Sequence, residues 1–121
     1  MSPSFHHRNL PHLLLYARET LMAHFRPILH AAGVTVSLGH SDCGYAAAAA
    51  AVAAGAQMTT HLFNAMSQLG NREPGMVGAA LDLGHINAGL IADGYHVHPV
   101  SIGAALRAKR GPGRIFLVTD A

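Results

Sequence analysis

The 121-residue sequence has little of several features that mark particular classes of protein. Its one cysteine, Cys43, excludes an intrachain disulfide and fits a reducing compartment. Only 12% of the residues are charged, and a net charge of +2 from scattered basic residues does not support nucleic-acid binding. No apolar run reaches the roughly 18 residues of a membrane helix, and the N-terminus lacks a signal-peptide pattern. We therefore expect a cytoplasmic protein with neither a nucleic-acid nor a membrane partner.

Half of the residues are hydrophobic, which is typical of one globular domain with a modest core. The ten histidines are unusual, and they make the net charge depend strongly on pH below neutrality. Residues 1–12 have loop composition and are interpreted as a tail. Residues 13–32 carry a rough apolar stripe that predicts a helix, interrupted by Pro27 and ended by Gly33.

Four strand-like segments follow, and each ends in polar residues. The segments are 34–38, 56–61, 86–92 and 114–119, and the polar residues at their ends are His40, His61, Asp93 and Asp120. These four positions are 21, 32 and 27 residues apart, which is the length of a βα unit. The pattern predicts an α/β fold with parallel strands: about four units of a (β/α)8 barrel, or a doubly wound sheet of four strands.

Helices are predicted between these strands. The alanine tract 46–51 favours a helix that runs to Gly55, begins with Ser41 or Asp42 as its cap, and lies close to the sheet. Residues 76–83 are expected to form a short helix. A longer helix is expected from Pro99 to about Arg110, with Ile102 and Leu106 facing inward.

The histidines at two strand ends, with an aspartate at a third, match the needs of metal-assisted hydrolysis. Imidazoles such as those of His40 and His61 bind divalent ions, and a carboxylate such as that of Asp120 can accept a proton from water. The alternative is that all three side chains serve as structural caps at strand ends. Arg72, taken alone, is interpreted as a solvated turn residue.

Five short motifs resemble, in the same order, those of N-acetylglucosamine-6-phosphate deacetylases of the amidohydrolase superfamily. They are Gly39-His40-Ser41, Thr60-His61-Leu62-Phe63-Asn64-Ala65-Met66, Arg72-Glu73-Pro74-Gly75, Asp93-Gly94-Tyr95-His96 and Leu117-Val118-Thr119-Asp120-Ala121. The resemblance implies a partial metal-dependent hydrolase barrel over residues 28–121. Residues 1–27 are expected to form an N-terminal tail and helix, and they match none of the five motifs. The chain is expected to be a piece of the middle to later part of the barrel.

The resemblance also implies a role for each site residue and for the site as a whole. The predicted residues are His40 and His61 as metal ligands, Asp120 as the catalytic acid and base, and Asn64, the Ala65 backbone, Arg72 and His96 as substrate contacts. The expected reaction is the release of acetate from N-acetylglucosamine 6-phosphate, which leaves glucosamine 6-phosphate. The expected cofactor is a divalent metal, zinc first, with iron, manganese or cobalt as alternatives.

In this family the arginine that Arg72 matches reaches across a homodimer, so the resemblance implies a homodimer. The family's Glu-Gly-Pro motif, which carries another metal ligand, does not occur in the sequence, so we expect a weakly held ion and very low activity. Two alternatives stay open. The first alternative is another amidohydrolase, and the second is a non-catalytic module that binds metal or self-associates.

Overall fold

The computed structural model describes residues 28–121, and the predicted tail and most of the predicted first helix lie outside them. Residues 28–31 are helical and lead through Gly33, which has a φ of +80°, into the first strand. The elements that follow are β1 (Ser37–Leu38), α1 (Tyr45–Ala53), β2 (Met58–Thr59), α2 (Gly75–Asp82), β3 (Asn87–Leu90), α3 (Pro99–Ala108) and β4 (Ile115–Leu117).

The four strands form one sheet in the order β1-β2-β3-β4, and every neighbouring pair is parallel. Strand and helix alternate along the chain, as parallel pairing requires, because each connection must return to the starting edge of the sheet. The predicted α/β fold with four parallel strands is therefore confirmed. All four strands end at the same edge, where the loops that carry the predicted site residues lie.

All four strands are shorter than their predicted segments. β2 has two residues between the turn at Gly55 and the turn at His61, so it offers β1 only two partners, Met58 and Thr59. The predicted strand 34–38 is thereby reduced to Ser37–Leu38. The backbone still bonds beyond these pairs, since Gln57 N–H donates to the Val36 carbonyl at 3.0 Å.

One face of the sheet packs on the helices and forms the core. Leu38, Ala88 and Leu90 are almost wholly buried there, and Thr59 is 1% exposed. All but the last residue of α2 is buried, because its small and apolar side chains meet the sheet on one side and α1 on the other. The alanine tract is helical as predicted, and it packs chiefly on α2.

Two predictions about the helices are wrong. Neither Ser41 nor Asp42 caps α1: the N-cap residue is Gly44, and Ser41 Oγ instead accepts a hydrogen bond from Cys43 N–H at 3.2 Å. Leu106 does not face inward, since it is 59% exposed. Ala105 is the buried residue instead, so α3 is turned about its own axis relative to the predicted apolar stripe. Within residues 28–121, no helix is long and apolar enough to span a membrane.

Candidate active site

Two histidines meet at the carboxyl edge of the sheet. His40 follows β1 and His61 follows β2, and their Nε2 atoms are 3.1 Å apart. The rings meet edge to face, with centroids 4.9 Å apart and planes inclined by 79°. His61 is 9% exposed. Neighbouring parallel strands thus bring together two residues that are 21 positions apart in sequence.

The backbone determines which nitrogen of His61 carries a proton. His61 Nδ1 lies 3.1 Å from the carbonyl oxygen of Asn64, and a carbonyl only accepts, so Nδ1 carries the hydrogen. The Nε2 lone pair of His61 then points toward His40. Histidines that bind metals have this arrangement, in which the second nitrogen donates to a carbonyl or carboxylate and fixes the ring.

The spacing of the two imidazoles fits a shared ion. Two nitrogens bound to one tetrahedral zinc at about 2.0–2.1 Å are about 3.3 Å apart, close to the 3.1 Å between His40 and His61. Within the described part of the chain, no group of three or more histidine, cysteine, aspartate or glutamate side chains could hold a metal. The described residues therefore fit two coordination positions of an ion.

Backbone strain is concentrated at this edge. The four non-glycine residues with positive φ among residues 28–121 are His40 (49°), Phe63 (77°), Ala65 (51°) and Asp120 (58°). Three of them are predicted site residues. A left-handed conformation in a non-glycine residue costs about 1–3 kcal/mol and persists where the surrounding structure requires it, most often at functional sites.

The loops after β1 and β2 are joined by hydrogen bonds. Ser41 N–H donates to the Ala65 carbonyl at 3.2 Å, and Ser67 N–H donates to the Ser41 carbonyl at 3.1 Å. Ser67 Oγ donates to the Cys43 carbonyl and accepts from Met76 N–H. These bonds fix the backbone on both sides of the histidine pair.

Glu73 is a structural residue that the sequence prediction missed. Its Oε1 accepts from Tyr45 N–H at 2.7 Å and from Gly75 N–H at 2.8 Å, so one carboxylate caps the first residue of both α1 and α2. These bonds lower the pKa of Glu73. A glutamate just before a helix start is a signal for the cap on α2. The cap on α1 comes from 28 residues away and leaves no local signal.

Asp120 and His61 line one cavity of about 220 Å³ on the sheet face opposite the helices. Ser37 and Thr60 also line it, and their hydroxyl oxygens are buried without a hydrogen-bond partner among residues 28–121. A second cavity, of about 370 Å³, is lined by His40 and Ala65 together with Ser41, Asp42 and Met66. The two histidines therefore lie between two cavities, one of which Asp120 reaches.

Of the other predicted substrate residues, Asn64 contacts the histidine pair through its backbone carbonyl. The Asn64 side chain donates to the Leu62 carbonyl at 3.3 Å. Arg72 and His96 are exposed on two different loops, and the structure shows neither of them in contact with the histidine pair. His96 Nδ1 is 2.6 Å from Asp93 Oδ2. His98, which had no predicted role, caps α3 by accepting from Val100 N–H.

Imidazoles that converge at the carboxyl edge of a parallel sheet, beside a carboxylate from another strand, are typical of metal-dependent hydrolases built on α/β barrels. The chain is similar to specific members of that class. No family model matches it. It is 47% identical over 109 residues to an N-acetylgalactosamine-6-phosphate deacetylase from Shewanella sp. (strain ANA-3), covering 90% of this chain and 27% of that protein.

An N-acetylglucosamine-6-phosphate deacetylase from Vibrio furnissii is 47% identical over 93 residues, covering 77% of this chain and 23% of that protein. Two solved structures carry the same name. The enzyme from Pasteurella multocida matches with a TM-score of 0.74 and 40% identity, covering 82% of this chain and 26% of that one. A mutant of the enzyme from Mycobacterium smegmatis, in complex with N-acetyl-D-glucosamine-6-phosphate, matches with a TM-score of 0.76 and 37% identity. This match covers 86% of this chain and 27% of that one.

The comparisons confirm the resemblance to N-acetylglucosamine-6-phosphate deacetylases. The chain spans about a quarter of the length of the curated relatives it matches. With 109 of 121 residues aligned, the Shewanella match also includes residues before position 28. The division of the chain at residue 27 stays a prediction.

Proposed function

We propose that this chain contributes part of the active site of a metal-dependent deacetylase that acts on an N-acetylhexosamine 6-phosphate. The observation that carries the proposal is the His40–His61 pair, with its Nε2 atoms 3.1 Å apart and the tautomer of His61 set by the Asn64 carbonyl. The similarity to deacetylases of this substrate class supports it. In this account His40 and His61 hold a divalent ion, zinc first.

A divalent ion held there supplies a Lewis acid, which favours the ionisation of water and polarises the acetamide carbonyl. Asp120 lines the same cavity as His61 and is the proposed acid and base. Its carboxylate takes a proton from water as the water oxygen bonds to the acetyl carbon. It returns that proton to the sugar nitrogen as the carbon–nitrogen bond breaks, and acetate leaves.

The proposed substrate contacts lie on the loops that follow β2 and β3. Ala65 lines the cavity beside His40, and Asn64 holds the ring of His61, so both lie where an N-acetyl sugar would meet the site. Arg72 is exposed, and its planar guanidinium is suited to a phosphate group. We also propose that Arg72 binds the phosphate across a homodimer. The proposed location of the protein is the cytoplasm.

The hexosamine is proposed to be N-acetylglucosamine 6-phosphate. The similarity to the Shewanella N-acetylgalactosamine-6-phosphate deacetylase favours N-acetylgalactosamine 6-phosphate as the second candidate. The test is acetate release by the metal-loaded chain from both phosphosugars, from N-acetylglucosamine without phosphate, and from a cyclic amide. Release that requires the 6-phosphate supports the proposal, and the faster epimer identifies the substrate. Hydrolysis of the cyclic amide alone would indicate another amidohydrolase, while self-association without turnover would indicate a non-catalytic module.

A further inference from the structure

The loop after β3 contains a histidine and a carboxylate that are bonded to each other. Asp93 Oδ2 lies 2.6 Å from His96 Nδ1, and Asp93 Oδ1 accepts from the backbone N–H groups of Tyr95 and His96 at 2.8 Å each. Gly94, with a φ of +81°, allows the chain to turn tightly enough for all three bonds. The two oxygens of one carboxylate thus have separate tasks, one in the turn and one on the imidazole.

The carboxylate is charged over the whole working range of pH. The backbone bond from His96, followed by the bonds from its ring and from Tyr95, lowers the pKa of Asp93 to about 2. An ionised carboxylate only accepts hydrogen bonds, so Nδ1 of His96 keeps its hydrogen whether or not the ring is charged. Nε2 is then the ring nitrogen turned away from Asp93.

The pair lies beside the candidate site. Asp93 lines a cavity of about 430 Å³ together with residues that follow β3 and the end of β4, among them Val118. Val118 also lines the cavity that contains His61 and Asp120. The cavity that Asp93 lines and the cavity that Asp120 lines therefore share Val118.

We infer that Asp93 is a positioning residue, which holds the proton of His96 on Nδ1 and thereby presents Nε2 to the phosphosugar. This inference rests on the proposed function, in which His96 contacts the substrate. Tautomer and ring orientation decide whether a histidine meets its ligand with the correct atom, and a buttressing carboxylate sets both.

The substitution Asp93→Asn tests the positioning of the His96 ring separately from the hydrogen bonds that hold the turn. The asparagine Oδ1 can still accept from the two backbone N–H groups, so the loop is retained. Its Nδ2 replaces Oδ2 and is a donor, so Nδ1 of His96 must become an acceptor and the proton moves to Nε2. Asp82→Asn is the matched control, because it makes the same charge change at an exposed carboxylate bonded to Tyr45 and Arg110.

The experiment uses the 121-residue chain with two readouts. Imidazole nitrogen chemical shifts report the tautomer of His96, whose signals are identified by their loss in His96→Asn. Titration with N-acetylglucosamine 6-phosphate reports affinity. We expect Asp93→Asn to move the proton to Nε2 and to weaken binding about tenfold, the effect of losing one charge-assisted hydrogen bond. Asp82→Asn should change neither readout.

A His96 tautomer that is the same in Asp93→Asn and in the parent chain would overturn the inference. So would a switched tautomer with unchanged affinity, since the carboxylate would then serve the turn alone. A parent chain that binds no phosphosugar would contradict the proposed function and the ligand role of His96. In that case the nitrogen shifts would still decide whether Asp93 fixes the tautomer, so the two failures are distinguishable.

Discussion

Gly39, which immediately precedes His40, is the position where one added methyl group should disturb the site most. A Cβ built there would lie 2.0 Å from Thr60 Oγ1 and 3.1 Å from Thr60 Cβ and Cγ2. Rotating the threonine side chain does not remove the crowding, because Thr60 Cβ itself stays 3.1 Å from the new methyl group. Thr60 is also held against β1, since its N–H donates to the Leu38 carbonyl at 2.8 Å. The ends of β1 and β2 must therefore separate in Gly39→Ala.

The expected cost of Gly39→Ala is about 1–3 kcal/mol, the usual penalty of overpacking a tight site. His40 and His61 follow the two residues that clash, so the 3.1 Å spacing of their Nε2 atoms should also be lost. The assay is urea unfolding of each variant, in parallel with titration by cobalt or zinc. Gly111→Ala is the control, because a Cβ at Gly111 meets nothing within 4 Å and should change stability by less than about 0.5 kcal/mol.

Thr60→Ala provides the second half of the test. It removes both branches that meet the new methyl group. Its own cost should be small, because Thr60 Oγ1 is buried without a hydrogen-bond partner within residues 28–121. The double variant Gly39→Ala/Thr60→Ala should recover about 1–2 kcal/mol relative to the sum of the single variants. Strict additivity, or a Gly39→Ala chain as stable and as metal-competent as its parent, would refute the packing argument.

Two further predictions concern carboxylates. The folded-state pKa of Glu73 is lowered from 4.5 by the N–H groups of Tyr45 and Gly75, so its stabilising effect is present above pH 4.5 and is lost as the pH falls through the folded value. Glu73→Gln should flatten that part of the acid-unfolding curve, and an unchanged acid profile would disprove the double cap. Asp120→Asn should keep the metal stoichiometry of the parent and abolish acetate release, because asparagine tolerates the left-handed backbone at this position but cannot accept a proton. Normal turnover by this variant would remove Asp120 from the mechanism.

The sequence was sufficient to predict the edge at which His40 and His61 meet. β-branched runs, turn residues and βα-length intervals together predict parallel strands, and parallel strands end at a common edge. Two residues at adjacent strand ends must then be neighbours. The spacing of their nitrogens depended on side-chain rotamers and on the Asn64 carbonyl, which no sequence period encodes.

Other features could not be predicted because their causes are not local. The left-handed backbones of His40 and Ala65 arise from the bonds between two loops, whereas glycine or asparagine would have been the local signal for such a conformation. The cap on α1 comes from Glu73, in another loop. The exposure of Leu106 depends on the rotation of α3, which an apolar pattern that includes both Ala105 and Leu106 does not determine.

The central claim is that His40 and His61 bind one divalent ion between them. Its most direct test is titration of the folded 121-residue chain with zinc or cobalt, compared with His61→Ala and with His85→Ala, which alters an exposed histidine. The account predicts one ion per chain in the parent and in His85→Ala, and loss of that ion in His61→Ala. Equal binding by all three chains, or no binding by the parent, would contradict it.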